Sequence, residues 1–255
     1  VKMRKISKAI VSVLAVIFVG VLSWNVYFNQ RAQVLKDVSV KQEQTATIFV
    51  PGLHGRYSFT GMIHRLNHYD IAQHALTVNV SKKGQIKVHK LAPLKNNPTI
   101  KILFSADAEP KKESKQLVAV MRTLKRDYHI QNINLVGHSS GGNIIFDYLT
   151  ATNGRPDLPT PEKFVSIATT YPNRKQQAKQ LPANLKILNI AGEIDHYHSD
   201  GAISVADDLA MGKLVEPYVA SYQARTIHGN ILHTFHSMLH ENPDVDKLIA
   251  NYLYQ

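Results

Sequence analysis

Ile133-Asn134-Leu135-Val136-Gly137-His138-Ser139-Ser140-Gly141-Gly142-Asn143-Ile144-Ile145-Phe146-Asp147-Tyr148-Leu149 decides how the rest of the chain is read. Its first four residues are a short apolar run that suits a buried strand, and residues 142–149 read as a helix. Between them lies the pentad Gly137-His138-Ser139-Ser140-Gly141, a G-x-S-x-G. Strand, pentad, helix is the setting in which a serine stands on a tight turn, exposed as a nucleophile. The flanking glycines let strand and helix close around it. Five residues with three fixed recur by chance, so the pentad gains its weight from its surroundings.

Those surroundings alternate between strand and helix. Strands are expected over residues 45–50, 76–80, 86–91, 100–104, 133–136, 164–168, 185–191 and 218–227. Helices are expected over residues 59–75, 112–128, 142–149, 202–211 and 245–253. The 112–128 helix is the clearest, with Leu117, Val120, Met121 and Leu124 repeating at three and four. Such alternation predicts a mostly parallel sheet with helices on both faces. Reactive groups then gather at the carboxyl ends of the strands. Ser139, the loop 192–200 and the loop 227–240 all fall at those ends.

A serine hydroxyl needs a base within hydrogen-bond reach, and the base needs an orienting acid. After the 185–191 strand the acid candidates are Glu193, Asp195 and Asp200. Asp200 is favoured: it sits in Ser199-Asp200-Gly201-Ala202-Ile203-Ser204, just before a helix whose N-terminus favours an ionised carboxylate. Asp195 is the rival, and a capping role is the simpler alternative. After the last strand the base candidates are His228, His233, His236 and His240, with His236 favoured by its place between that strand and the terminal helix. The order Ser139, Asp200, His236 is the chain order expected of such a site. The oxyanion formed on attack needs two donors. These are the N–H of Ser140 and an N–H from Val50-Pro51-Gly52-Leu53-His54-Gly55-Arg56, with Leu53 first and His54 second.

The first residues differ from the rest. Lys2, Arg4, Lys5 and Lys8 precede an almost wholly apolar run, 9–28. Twenty apolar residues suffice to cross a bilayer as a helix, with the basic flank on the cytoplasmic side. No clean A-x-A cleavage site follows, so a retained anchor is expected over a cleaved signal peptide. The expected organisation is an anchor or signal segment at 1–29, a polar tether at 30–44 and one catalytic domain at 45–255, placed outside the cytoplasm.

There are no cysteines, which excludes disulfides, thiolate metal sites and a cysteine nucleophile. Lys+Arg outnumber Asp+Glu by 30 to 19, a formal charge of +11. That excess, concentrated in 82–101, 111–126 and 174–186, suits either solubility or an anionic cell-envelope surface. Nucleic acid is not an expected partner, because no recognition motif with aromatic interleaving is present. Among the 13 histidines, His64 with His68 and His236 with His240 have helical spacing for metal, but no H-E-x-x-H exists. No metal or cofactor is expected. The short polar stretch 171–184 leaves no room for a large lid. Any cover would come from 57–94, and an open site suits small or soluble esters.

Four stretches together resemble the DUF915 group of α/β-hydrolases, the cell-surface hydrolase-like proteins of Gram-positive bacteria. They are residues 49–55 (F-V-P-G-L-H-G), 134–143 (N-L-V-G-H-S-S-G-G-N), 199–204 (S-D-G-A-I-S) and 236–243 (H-S-M-L-H-E-N-P). The resemblance runs from Thr45 to the C-terminus. It implies an α/β-hydrolase fold and esterase or lipase-like chemistry on carboxylic esters, without a metal. It also implies Ser139 as nucleophile, Asp200 as acid and His236 as base. Where the family usually has His-Gly after the first strand, this chain has Pro51-Gly52, and Ser140 replaces the commoner methionine. A second reading motivated by Pro51 and the basic charge is a surface binding module that keeps the fold with little or no turnover.

Overall fold

Among the described residues, eight strands and nine α-helices account for most of the chain. The computed structural model describes residues 2–106 and 108–255, and only the backbone of residues 2–9 and Trp24. The side chains of the basic flank, Lys2 to Lys8, thus lie outside the described residues. Strands β1 (Ala46–Val50), β2 (His74–Val80), β3 (Ile86–Lys90), β4 (Thr99–Phe104), β5 (Asn132–His138), β6 (Thr160–Ile167), β7 (Lys186–Ile194) and β8 (Ser221–Gly229) form one sheet, ordered β3-β2-β4-β1-β5-β6-β7-β8. Every pairing is parallel except β2 with β3. The inner strands β1 and β5 are buried on both faces, because helices cover both. The edge strand β3 exposes Lys87, His89 and Lys90, and this charged edge discourages pairing with another chain.

The two faces carry separate cores. On one face, α3 (Pro110–Tyr128) buries Leu117, Val120, Met121 and Leu124 against the sheet, beside Ile144, Ile145 and Leu149 of α4 (Ser140–Thr152). Each such side chain is worth roughly 1.5–3 kcal/mol of burial. On the other, α2 (Thr60–His68) and α9 (Pro243–Tyr254) contribute Met62, Ile63, Leu66, Val245, Ile249 and Leu253. The chain therefore has the α/β-hydrolase fold that the motif context predicts.

Several expected boundaries move. The 59–75 helix ends at His68, and Ile71 is buried in the turn that follows rather than on the helix. The 202–211 helix is two short ones, α6 (Val205–Leu209) and α7 (Met211–Val215), which meet at Ala210. Two more single-turn helices, α5 (Lys175–Ala178) and α8 (Ile231–Thr234), lie in stretches read as loops. The strands expected at 76–80 and 86–91 are present as β2 and β3, which form one edge of the sheet.

The N-terminal helix α1 (Lys2–Ala32), with the 3₁₀ turn Gln33–Leu35 that continues it, carries the one described stretch long and apolar enough to cross a membrane, Ile10–Leu35. The segment after it is not a free tether. Leu35 is buried, and Val34, Val38 and Val40 pack on the α2–α9 core. Lys41 N–H donates to the Tyr254 carbonyl at 2.7 Å, and buried Asn97 grips the Lys41 carbonyl and the Glu43 N–H. Composition hid this, because polar residues separate the apolar ones.

Candidate active site

The turn after β5 is built for close approach. Ser139 has φ 53° and ψ −127°, a strained region for a residue with a Cβ. Three hydrogen bonds hold it there. Its N–H donates to the Ile167 carbonyl at 2.9 Å, and its own carbonyl accepts from Gly142 N–H at 2.9 Å and Thr169 Oγ1 at 3.0 Å. A Cβ on Gly141 would lie 2.1 Å from the Val50 carbonyl oxygen, so only glycine lets α4 start this close to β1. Ser139 thus stands between sheet and helix, partly exposed.

Asp200 and His236 meet. His236 Nδ1 lies 2.7 Å from Asp200 Oδ2, and the His236 main-chain N–H donates to the Asp200 carbonyl at 2.8 Å. The other carboxylate oxygen of Asp200 accepts from Ala202 N–H at 2.8 Å and Ile203 N–H at 2.7 Å. Burial works to raise the Asp200 pKa. The bonds from His236, Ile203 and Ala202 outweigh it, so the group stays ionised below the usual carboxylate range. An ionised partner at Nδ1 fixes the proton there and leaves Nε2 as the basic nitrogen.

His138 joins this pair to the serine. Its ring centroid lies 4.7 Å from that of His236, and its Nε2 lies 2.9 Å from the His236 carbonyl. A carbonyl only accepts, so Nε2 carries the proton. Burial, with His240 and His236 beside it, pushes the His138 pKa well below the ordinary value, and the ring is neutral. Among the described residues no hydrogen bond runs from Ser139 Oγ to the His236 ring. Such bonds are commonly long without substrate and tighten in the reacting complex.

The loop after β1 adjoins the serine. A Cβ on Gly52 would come within 3.1 Å of Ser139 Cβ and 2.9 Å of the His138 carbonyl oxygen. The Gly52–Leu53 peptide therefore lies against Ser139. Among the described residues, neither Leu53 N–H nor Ser140 N–H has a hydrogen-bond acceptor within the protein. Both expected oxyanion donors are available, whereas His54, the second choice, has φ 51° in the tight turn that follows. Beside this loop lies a cleft of about 260 Å³ lined by Pro51, Gly52, Arg56, Leu103 and Phe104 among others.

The other candidates fall elsewhere. Asp195 is exposed in a turn with φ 47°. Glu193 is engaged by two imidazoles, His198 at 2.7 Å and His228 at 2.9 Å. His233 packs on Tyr27 of α1. His240 is buried against Phe59 and Glu241. No described group of three or more His, Asp or Glu residues is arranged to hold a metal ion.

Sequence reasoning did not single out His138, Thr169 or Arg65. Arg65 reaches from α2 to Asp246 of α9, with Nε 2.5 Å from Oδ2, and donates to the Glu241 carbonyl at 2.8 Å. It thereby fixes the far end of the 3₁₀ turn His236–Glu241 that carries the histidine. His138 occupies a free position of the pentad, which is the one signal that points to it.

The family model described as an alpha/beta hydrolase of unknown function (DUF915) matches residues 35–178 and 174–255. Among solved structures, the lin2722 gene product of Listeria innocua superposes with a TM-score of 0.72 at 25% identity, covering 81% of this chain and 92% of that one. A protein named as a cell surface hydrolase from Lactobacillus plantarum WCFS1 superposes with a TM-score of 0.68 at 22% identity, covering 81% and 88%. No curated protein matches the chain. With a family match that spans nearly the whole folded domain and an eight-stranded sheet of the matching architecture, the chain belongs to the DUF915 family of α/β-hydrolases.

Proposed function

We propose that the protein is a serine hydrolase of carboxylic esters that acts outside the cytoplasm. The observation that carries this is the Asp200–His236 pair lying, through His138, beside a serine held at positive φ. Ser139 Oγ attacks the ester carbonyl while His236 Nε2 takes its proton. The carbonyl π electrons move to oxygen, and the oxyanion accepts from Leu53 N–H and Ser140 N–H. The tetrahedral centre collapses, the C–O bond to the alcohol breaks, and His236 returns its proton to the leaving oxygen. Water then attacks acyl-Ser139, giving its proton to His236, and the acid departs as the serine is reprotonated. Asp200 holds the imidazole in the tautomer that both half-reactions need.

The exterior placement follows from α1. Its apolar stretch would sit in the bilayer, its basic flank inside and the hydrolase domain outside. Full-length protein in detergent should react with a fluorophosphonate at Ser139 and turn over short p-nitrophenyl esters, and Ser139→Ala should do neither. Wild-type turnover no faster than that of Ser139→Ala rejects the reading. The missing Ser139–His236 bond and Pro51 favour one alternative, a binding module. Inertness to the probe in a folded protein would select it.

A further inference from the structure

We propose that the single-turn helix α8 and the residues around it, 230–235, rest on a lipid bilayer, so that the active site opens toward esters resident in the membrane. The substrate half of this rests on the hydrolase reading; the surface half does not.

The argument starts at the end of α1. The almost wholly apolar run 9–28, twenty residues long, spans about 30 Å as a helix, the thickness of a hydrocarbon core. Tyr27 therefore stands at the end of the span, where aromatic side chains favour the headgroup boundary. Its ring stacks on His233 of α8, with centroids 5.8 Å apart and planes 14° apart, and its hydroxyl meets His233 Nε2. Four residues on, Arg31 pairs with Asp244 at the start of α9 and reaches Asn242. Two contacts thus hold the membrane end of α1 against this part of the domain.

His233 is flanked by apolar residues that nothing covers. Ile231 is 58% exposed, Leu232 48% and Phe235 39%. Leu232 is the immediate neighbour of the histidine on which Tyr27 stacks, so it lies level with the boundary. The segment is firmly built. Asn230 caps α8 by accepting from Leu232 N–H at 3.0 Å, and Thr234 Oγ1 donates to the Glu193 carbonyl at 2.9 Å. The next residue after Phe235 is His236. The other two site loops also turn apolar side chains outward: Leu53 beside the oxyanion donors, 55% exposed, and Tyr197 before Asp200, 78% exposed. Exposed apolar groups on all three loops, next to a membrane-length helix, mark a surface that belongs against lipid.

The test uses full-length protein in phosphatidylcholine/phosphatidylglycerol vesicles. Trp24 is the sole tryptophan, so Trp24→Phe/Leu232→Trp, and in parallel Trp24→Phe/Ile231→Trp, place one reporter on α8. Brominated acyl chains should quench it by about half or more, as they do residues below the headgroups. Quenching by aqueous acrylamide but not by brominated lipid, in both variants, overturns the proposal. That result would leave a protein partner as the occupant. A second arm compares a lipid ester in the vesicle with a short soluble ester. The ratio of the two rates should fall about tenfold in Ile231→Asp/Leu232→Asp, because charged side chains resist interfacial burial. An unchanged ratio overturns the substrate half. Absence of turnover on both esters would sink the hydrolase reading while the quenching arm still decides the surface.

Discussion

Asp200 grips His236 at two points, carboxylate to imidazole at 2.7 Å and carbonyl to main-chain N–H at 2.8 Å. Both the tautomer and the position of the ring therefore depend on one residue. In Asp200→Asn the amide oxygen keeps the Ala202 and Ile203 bonds, while the amide NH₂ faces Nδ1 and drives the ring proton to Nε2. The expected result is a fall in kcat of about 10²–10⁴ with KM little changed. Steady-state kinetics beside a thermal melt that shifts by only a few degrees would check it.

Gly52 offers a separate handle on the oxyanion. Its replacement by alanine drives a methyl group to within 2.9 Å of the His138 carbonyl oxygen and 3.1 Å of Ser139 Cβ. The loop must retreat, carrying Leu53 N–H away from the nucleophile. Loss of one oxyanion donor costs about 10²–10³ in kcat. Fluorophosphonate labelling should slow in step, while circular dichroism stays unchanged.

Arg65 sits between a buried carboxylate and the turn that carries His236. Asp246 is fully buried, and burial raises its pKa to about 6 despite the nearby guanidinium. Arg65→Ala leaves that carboxylate without its cation, a loss of about 3–5 kcal/mol. The midpoint of thermal unfolding should fall by about 10 °C or more. Arg65→Ala/Asp246→Ala should recover part of the loss, and a double-mutant cycle measures the coupling.

Two buried groups bend the pH dependence of stability in opposite senses. Burial raises Asp208 to about 8, so the folded protein keeps a proton that the unfolded chain has released. Its contribution is complete below about pH 4 and is lost as pH rises through 8. His138 is lowered, so its contribution is complete above the ordinary histidine value and is lost as pH falls below it. Asp208→Asn should therefore gain on wild type between pH 5 and pH 8. His138→Gln should gain on wild type between pH 7 and pH 5. Melting curves at those three values give both differences, and a reversed sign in either removes that group from the account.

What the sequence made legible was whatever depends on neighbours in the chain. The pentad, the apolar periodicity of α3 and the short apolar runs that alternate between strand and helix are local patterns. Arg65 with Asp246 is 181 residues apart in sequence, and no periodicity marks either. His138 fills a position the pentad leaves open, so only its packing against two other imidazoles reveals its part. The 202–211 stretch is expected as one helix, but Ala202 and Ile203 belong to the turn around Asp200 and the helix starts at Val205. It breaks at Ala210 between the capping turn beside Asp200 and the seat of α7 on β8, which is a tertiary demand.

The strap at residues 33–43 makes α1 a mounting post rather than a leash. With Leu35 seated in the core and Asn97 clasping the chain at Lys41 and Glu43, the domain cannot swing outward on a flexible arm. A post of this kind would fix the height of the Ser139 cleft above a surface that held α1. If a bilayer holds α1, as proposed above, esters anchored tens of ångströms farther out stay beyond reach. Trimming the chain at residue 45 to obtain a tractable fragment would pull out the plug at Leu35 and leave an apolar socket open on the domain.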